Sequence, residues 1–243
     1  MPHAVNQRHA VSAIPKRGQL RQTAIESAEG GVMPIRHEHA KADPKVFYGA
    51  KDQDTLVERY DESAGVYDAA MTDDVGWTGH IELAKVVERH VDKRTRICDA
   101  GAGTGLLGEL LAEAGYRDMS ANDLSPGMLE VARRKRIYSH CRVMELGKPL
   151  GYANSVFGAT TACGVFTPNH APASSFDELL RITRAGGLIL YTLRSDEEPP
   201  DFSARQQELV DAGKWELVKA GEPFPSIASE PHIRHRCWVW RVL

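Results

Sequence analysis

The spacing of apolar positions changes as the chain is followed from its start. Residues 1–45 are polar, with scattered Gly, Pro and His and no sustained period, which predicts a flexible tail. From residue 51 apolar positions recur every three or four residues. Leu56, Tyr60, Ala64 and Tyr67 predict a helix over 51–70, and Ile81, Ala84, Val87 and Val91 predict a second over 79–91. Short apolar runs then alternate with helical ones. The pattern predicts strands at Arg96–Ala100, 118–123, 141–145, 157–163 and 187–193, with helices at 104–115, 126–136 and 174–184. A helix at 202–213 follows, then two strand-like runs, Trp215–Ala220 and Arg234–Leu243.

Local signals mark several helix ends. Ser125 is placed to cap a helix that has Pro126 at its opening position. Ser174 and Asp177 have the spacing of a capping box, and Gly186-Gly187 can end that helix and open the next strand. Repeated strand–helix order implies an α/β fold with a mostly parallel sheet and helices on both faces. The closing pair of runs adds an antiparallel strand, expected at the end of the sheet. The organisation is then a tail at 1–45 and one domain at 46–243, opened by cap helices at 46–94.

Composition narrows the function classes. The 243 residues are 42% hydrophobic with a net charge of -3 and both signs mixed, so a core is expected and a dedicated nucleic-acid binder is not. No apolar run is long enough to cross a membrane, and the start lacks the apolar stretch of a secretory signal. Its first acid is Glu26, after Arg8, Lys16, Arg17 and Arg21, but no apolar helical face accompanies this transit-peptide-like bias. Cys98, Cys141, Cys163 and Cys237 are scattered and form no C-x-x-C pair. They read as buried free thiols in a cytoplasmic protein without a metal site.

The chemistry concentrates in Asp99-Ala100-Gly101-Ala102-Gly103-Thr104-Gly105, between a predicted strand and a helix. Glycine there reaches positive φ and lets a ligand approach the main chain. The helix start offers free N–H groups to an anion, either a pyrophosphate or an amino-acid carboxylate. Gly103-Thr104-Gly105-Leu106-Leu107-Gly108 also fits the dinucleotide pattern G-x-G-x-x-G, so an NAD(P)-dependent oxidoreductase is one reading. Asp99 favours another, because a carboxylate before the glycines repels pyrophosphate but pairs with the ammonium of a methionine moiety. Asp123, ending the next strand, can accept from ribose hydroxyls in either cofactor; it also suits a turn before Ser125-Pro126.

With those residues in place the chain resembles the class I S-adenosylmethionine (SAM)-dependent methyltransferases. D-A-G-A-G-T-G at 99–105 and N-D-L-S-P-G-M-L at 122–129 resemble their first two motifs. Y-D-E-S-A-G-V-Y-D at 60–68 and F-D-E-L-L-R-I-T-R-A-G-G at 176–187 are similar to further family segments. L-G-K-P-L-G-Y at 146–152 and G-V-F-T-P-N-H-A-P at 164–172 resemble the methyltransferase-like proteins named after the Williams–Beuren region. The resemblance implies a Rossmann-like sheet of seven strands with the last antiparallel.

It also implies site roles. Asp99, Gly101 and Gly103 would line the methionine end of SAM, and Asp123 would hold the ribose. Leu124 and Met128 would pack near the adenine, with Glu145 and Leu146 at its edge, although the family often has Asp where this chain has Glu145. Cys163 and Gly164 would face the cofactor. Tyr60 and Tyr67 would close the pocket, though their spacing equally suits an amphipathic helix face. His170 is the best candidate general base, against the alternative of a solvated loop histidine, and Asn169 is placed to orient an acceptor. His80 and Trp77 lie where they would meet substrate; for Trp77 a structural role is favoured.

No D/N-P-P-Y/F motif follows the predicted fourth strand, where the chain reads C-G-V-F-T-P-N-H, and no Pro-Cys pair is present there. With the acidic balance this leaves a small-molecule acceptor as the favoured reading, with a protein acceptor as the alternative. A SAM-binding protein without catalysis carries the same motifs and stays open.

Overall fold

The computed structural model describes residues 53–167 and 170–243, so the tail expected at 1–45 and Asn169 lie outside the described residues. In chain order the elements are α1 (Gln53–Ser63), α2 (Tyr67–Ala69), a π-helical turn (Ala70–Val75), α3 (Gly79–His90), β1 (Ile97–Ala100), α4 (Leu106–Glu113), β2 (Met119–Asp123), α5 (Pro126–Lys135) and β3 (His140–Val143). There follow β4 (Phe157–Phe166), α6 (Ser175–Ile182), β5 (Thr183–Arg194), α7 (Pro200–Asp211), β6 (Trp215–Ala220), β7 (Phe224–Pro225) and β8 (Arg234–Val242).

The sheet order is β3-β2-β1-β4-β5-β8-β6, with β7 paired to β8 off that path. Strands β1 to β5 pair in parallel, and β8 runs antiparallel to β5, β6 and β7. This is the Rossmann-like, mostly parallel sheet with an antiparallel last strand, and the two-residue β7 makes the count eight. Successive strand side chains face opposite ways. Ile97 and Leu190 join one core with Leu83, Val87, Leu107 and Leu111, whereas Cys98, Ile189 and Tyr191 join the other with Phe176, Phe202, Trp215 and Trp240. Helices therefore cover both faces.

The antiparallel strand does not lie at the end of the sheet; it inserts between β5 and β6. Burial explains this. β8 commits Cys237 and Val239 to one core and Trp240 and Val242 to the other, while β6 exposes half its length and suits an edge.

Several local expectations are corrected. The helix expected over 51–70 stops at Ser63, turns through Gly65, and resumes as α2 and the π-helical turn. Glycine weakens a helix interior by about 1 kcal/mol relative to alanine, and the break falls beside it. On α3 the core face is Leu83, Ala84 and Val87, while Ile81 points outward. Ser125 caps α5 as expected, accepting from the Met128 N–H at 3.0 Å. Ser174 has helical backbone angles and makes no side-chain cap, so the capping box does not form. α6 ends at Ile182, ahead of Gly186, whose φ of +74° turns the chain where the β4–β5 register shifts between Phe157 and Ala159.

β1 lies between β2 and β4, so strand order reverses on either side of it. A crevice opens at such a switch point, outside the carboxyl ends of the strands.

Candidate active site

The floor of the site grows from the ends of strands, and the cap segments before β1 supply the rest. β1 ends in Asp99 and Ala100, and the glycine loop follows. Gly101 has a φ of +68°, and a Cβ there would lie 2.5 Å from Val165 Cγ2 on the neighbouring strand. Gly103 has a φ of +55°, and a Cβ there would meet nothing within 4 Å. One glycine is thus needed for packing and the other leaves open space. The loop is tied to β2 by Ala102 N–H donating to the Asn122 carbonyl at 2.9 Å.

Two carboxylates frame the loop. Asp123 accepts the Gly103 N–H at 2.8 Å on Oδ2 and the Ser125 N–H at 2.9 Å on Oδ1. Burial raises its pKa, opposed by the donated N–H groups of Ser125, Gly103 and Leu124. Asp99 is 2% exposed. It accepts from the Tyr138 hydroxyl at 2.6 Å and the Thr161 hydroxyl at 2.9 Å. Burial pushes its carboxyl up to about 6, against the pull of those two donors.

These residues line one cleft. The expected site residues other than Asn169, which lies outside the described residues, are in its wall: Asp99, Gly101 and Gly103 from the first loop, and Asp123, Leu124 and Met128 from the second. Glu145 and Leu146 follow β3, Cys163 and Gly164 lie on β4, and Tyr60, Tyr67, Trp77, His80 and His170 complete the wall. Glu145 also pairs with Lys148 at 2.7 Å, which draws its carboxylate toward the surface. Burial holds the Cys163 thiol well above its usual range, so it is a neutral wall and not a nucleophile. Trp77 also packs edge-on against His235, with centroids 5.1 Å apart, in keeping with a structural role.

The tyrosines do more than pack a helix face. The Tyr60 hydroxyl lies 2.9 Å from His170 Nε2, and the Thr167 hydroxyl lies 2.9 Å from His170 Nδ1. Tyr67 meets Tyr60 edge-on at 6.0 Å. His170 is therefore held between the cap and the end of β4.

Residues the sequence reading did not single out fasten the cap. Asp61 accepts the Gly127 N–H at 2.7 Å and the Ser125 hydroxyl at 2.5 Å. Asp68 accepts from the Thr104 hydroxyl and pairs with Lys135 at 2.7 Å, which also pairs with Glu109 at 2.6 Å. Tyr138 and Thr161 orient Asp99. Both aspartates of the cap follow a tyrosine in the 60–68 segment, and that recurrence was the available signal.

The charge of the cleft selects its ligand. Among the described lining residues are Asp99, Asp123 and Glu145, and no Lys or Arg. Two like charges 4 Å apart repel by about 4 kcal/mol in partly screened surroundings. A pyrophosphate dinucleotide is disfavoured here. SAM, with a sulfonium, an ammonium and one carboxylate, suits these residues.

Comparisons with known proteins agree. A family model described as a methyltransferase domain matches residues 98–191. Human methyltransferase-like protein 27 is 30% identical over 129 residues, 51% of this chain and 52% of that protein. The chain thus spans about half the length of that relative. Malonyl-[acyl-carrier protein] O-methyltransferase of Serratia marcescens is 30% identical over 193 residues, 78% of this chain and 69% of that enzyme. Among solved structures, the [4+2]-cyclase SpnF superimposes with a TM-score of 0.62 at 14% identity, covering 79% of this chain and 97% of its own. That likeness concerns the fold alone. The chain belongs to the class I SAM-dependent methyltransferases.

Proposed function

We propose that this protein transfers a methyl group from SAM to a small-molecule acceptor. The observation that carries the reading is a cleft walled by Asp99, Asp123 and Glu145 without a lysine or arginine among its described residues, leading to a histidine held by two hydroxyls. Bound SAM supplies an activated methyl group and a neutral thioether leaving group. The protein's part is position and electrostatics.

Asp99, fixed by Tyr138 and Thr161, receives the methionine ammonium, with Gly101 and Gly103 beside it. Asp123 receives the ribose hydroxyls. Leu124, Met128 and Leu146 supply apolar walls for the adenine, and Glu145 stands at its edge. Cys163 closes the wall on the reacting side.

His170 is the base if the acceptor arrives protonated. In the tautomer in which the Tyr60 hydroxyl donates to Nε2 and Nδ1–H donates to Thr167, the basic nitrogen is Nε2. An acceptor hydroxyl that takes the place of Tyr60 there passes its proton to Nε2 as its oxygen attacks.

Two features support a small acceptor. Only five residues, Ser195–Pro199, join β5 to α7, which leaves no room there for a recognition domain. The Serratia relative is named an O-methyltransferase for a malonyl group on a carrier protein. We assign the methyltransferase domain to residues 46–243, with cap helices in 46–94 and a tail at 1–45. Four free thiols, with no helix among the described residues long and apolar enough to cross a membrane, support a cytoplasmic location.

Transfer of label from methyl-labelled SAM to fractionated metabolites tests the reading. Labelled product in a small-molecule fraction is expected. Tight SAM binding with no labelled product in any fraction would identify a SAM-binding protein without transferase activity.

A further inference from the structure

The wall of the cleft divides by chemistry. Its carboxylates, Asp99, Asp123 and Glu145, come from β1, from β2 and from the turn after β3. The cap and the far end of β4 bring none; they contribute Tyr60, Tyr67, Trp77, Val165 and His170, all half-buried, with the buried Leu56 behind them. Trp77 is a fixed part of this side. A Cβ on Gly164 would lie 3.2 Å from its Cζ2, and one on Gly79 would overlap the indole, so the ring sits where two glycines make room for it. Tyr60 meets Tyr67 and His170 edge-on, with centroids 6.0 and 5.9 Å apart. Rings set in this way pack a further ring well by its face or edge.

Charge narrows what that ring carries. SAM brings one net positive charge to the two carboxylates Asp99 and Asp123, while Glu145 is balanced by Lys148 at 2.7 Å. No lysine or arginine is among the described lining residues, so an anionic acceptor meets a net negative cleft. An ammonium-bearing acceptor finds no carboxylate on the cap side.

His170 narrows the reacting group. The Tyr60 hydroxyl lies 2.9 Å from Nε2, so the site already sets a phenol against the imidazole. An imidazole, titrating near about 6.5, is matched to a phenol, near about 10, far better than to an aliphatic hydroxyl, which is a much weaker acid.

We propose that the methyl acceptor is an uncharged aromatic molecule with a phenolic hydroxyl, packed on the rings of Trp77, Tyr60 and Tyr67, with that hydroxyl on His170 Nε2 in place of the one from Tyr60. This rests on the methyltransferase reading above and goes beyond it by naming the class of acceptor. His170 Nε2 takes the phenol proton as the phenol oxygen bonds to the methyl carbon. The carbon–sulfur bond breaks with its electron pair on sulfur, which leaves a neutral thioether, and the proton then passes from Nε2 to solvent.

Calorimetry on the protein loaded with S-adenosylhomocysteine tests the class with 2-naphthol, 2-naphthoate and 2-naphthylmethylamine, which share one ring system. The naphthol should bind about tenfold or more tighter than either charged compound. With SAM in place of S-adenosylhomocysteine it should yield 2-methoxynaphthalene. Val57→Lys, in the cleft wall one helical turn before Tyr60 on α1, adds a cation there and should shift preference toward the naphthoate by about tenfold. Naphthoate or amine bound as tightly as the naphthol, no binding of any of the three at millimolar concentration, naphthol bound without transfer, or methylation at a ring carbon would each overturn the assignment. Binding of S-adenosylhomocysteine in the same experiment leaves the SAM reading standing in all of those cases; a protein that does not bind it overturns both. If Val57→Lys does not melt cooperatively, the wild-type comparison decides.

Discussion

The Asp123 carboxylate accepts the Gly103 N–H at 2.8 Å, so a side chain from the end of β2 fixes the loop at the end of β1. Its second oxygen accepts the Ser125 N–H at 2.9 Å. One carboxylate thus sets the shapes of both turns at the switch point while bordering the cleft.

Asp123→Ala should weaken SAM binding by about 10- to 100-fold, since both the loop bond and the ribose contact are lost. Calorimetry measures it. Unchanged affinity would mean that the ribose is held elsewhere.

Asp99 couples binding to pH. Its folded pKa of about 6 lies above the ordinary value of 3.8, so the fold prefers the protonated form. The stability contributed by that proton is present below about pH 4 and is lost as pH rises toward 6. A bound ammonium needs the ionised form. SAM affinity should therefore fall by up to tenfold per pH unit below about 6. Asp99→Asn should melt higher than wild type at pH 7, by a free energy on the order of 1–3 kcal/mol, and should bind SAM poorly. A variant that loses both stability and affinity would show that the buried charge is not the cause.

The two loop glycines should fail differently. Gly101→Ala pushes a Cβ to 2.5 Å from Val165 and should lower the melting temperature. Gly103→Ala meets open space in the unliganded protein, so it carries the backbone cost of positive φ without the clash. It should lose SAM affinity out of proportion to stability. Melting curves with and without SAM separate the two.

His170→Ala should slow methyl transfer by about 100-fold or more while SAM affinity stays within a fewfold of wild type. Tyr60→Phe removes one of the two hydroxyls that hold the ring and should fall between them. Turnover of the identified acceptor at saturating SAM reads both. An unaffected His170→Ala variant would make the histidine a bystander.

The parts legible in the sequence are those written in short-range pattern. Trp215–Ala220 is a strand with the predicted limits, because its flanking turns bound it on both sides. Asp99, the glycines and Asp123 could be placed because a strand end, a φ requirement and a charge coincide within a few residues. Contacts between distant side chains were not legible. Tyr138 reaches Asp99 across 39 positions and Asp61 reaches Gly127 across 66. No local period encodes such pairs. At Ser174 the motif letters were right, but the backbone enters α6 already helical, which leaves the hydroxyl no capping geometry. Ile81 misled because apolar character alone does not say which side of a helix meets the sheet.

The place of β8 bears on how the protein is made. Among the strands of this sheet it is the last in chain order, yet it lies inside the sheet, paired with β5, β6 and β7. A nascent chain that stops short of Arg234 leaves β5 with an open edge and Trp215 without its stacking partner Trp240, 4.4 Å away. The sheet from β5 onward must therefore close after translation of that segment, and until then the growing chain presents an unpaired strand and bare indole surface to the ribosome's surroundings.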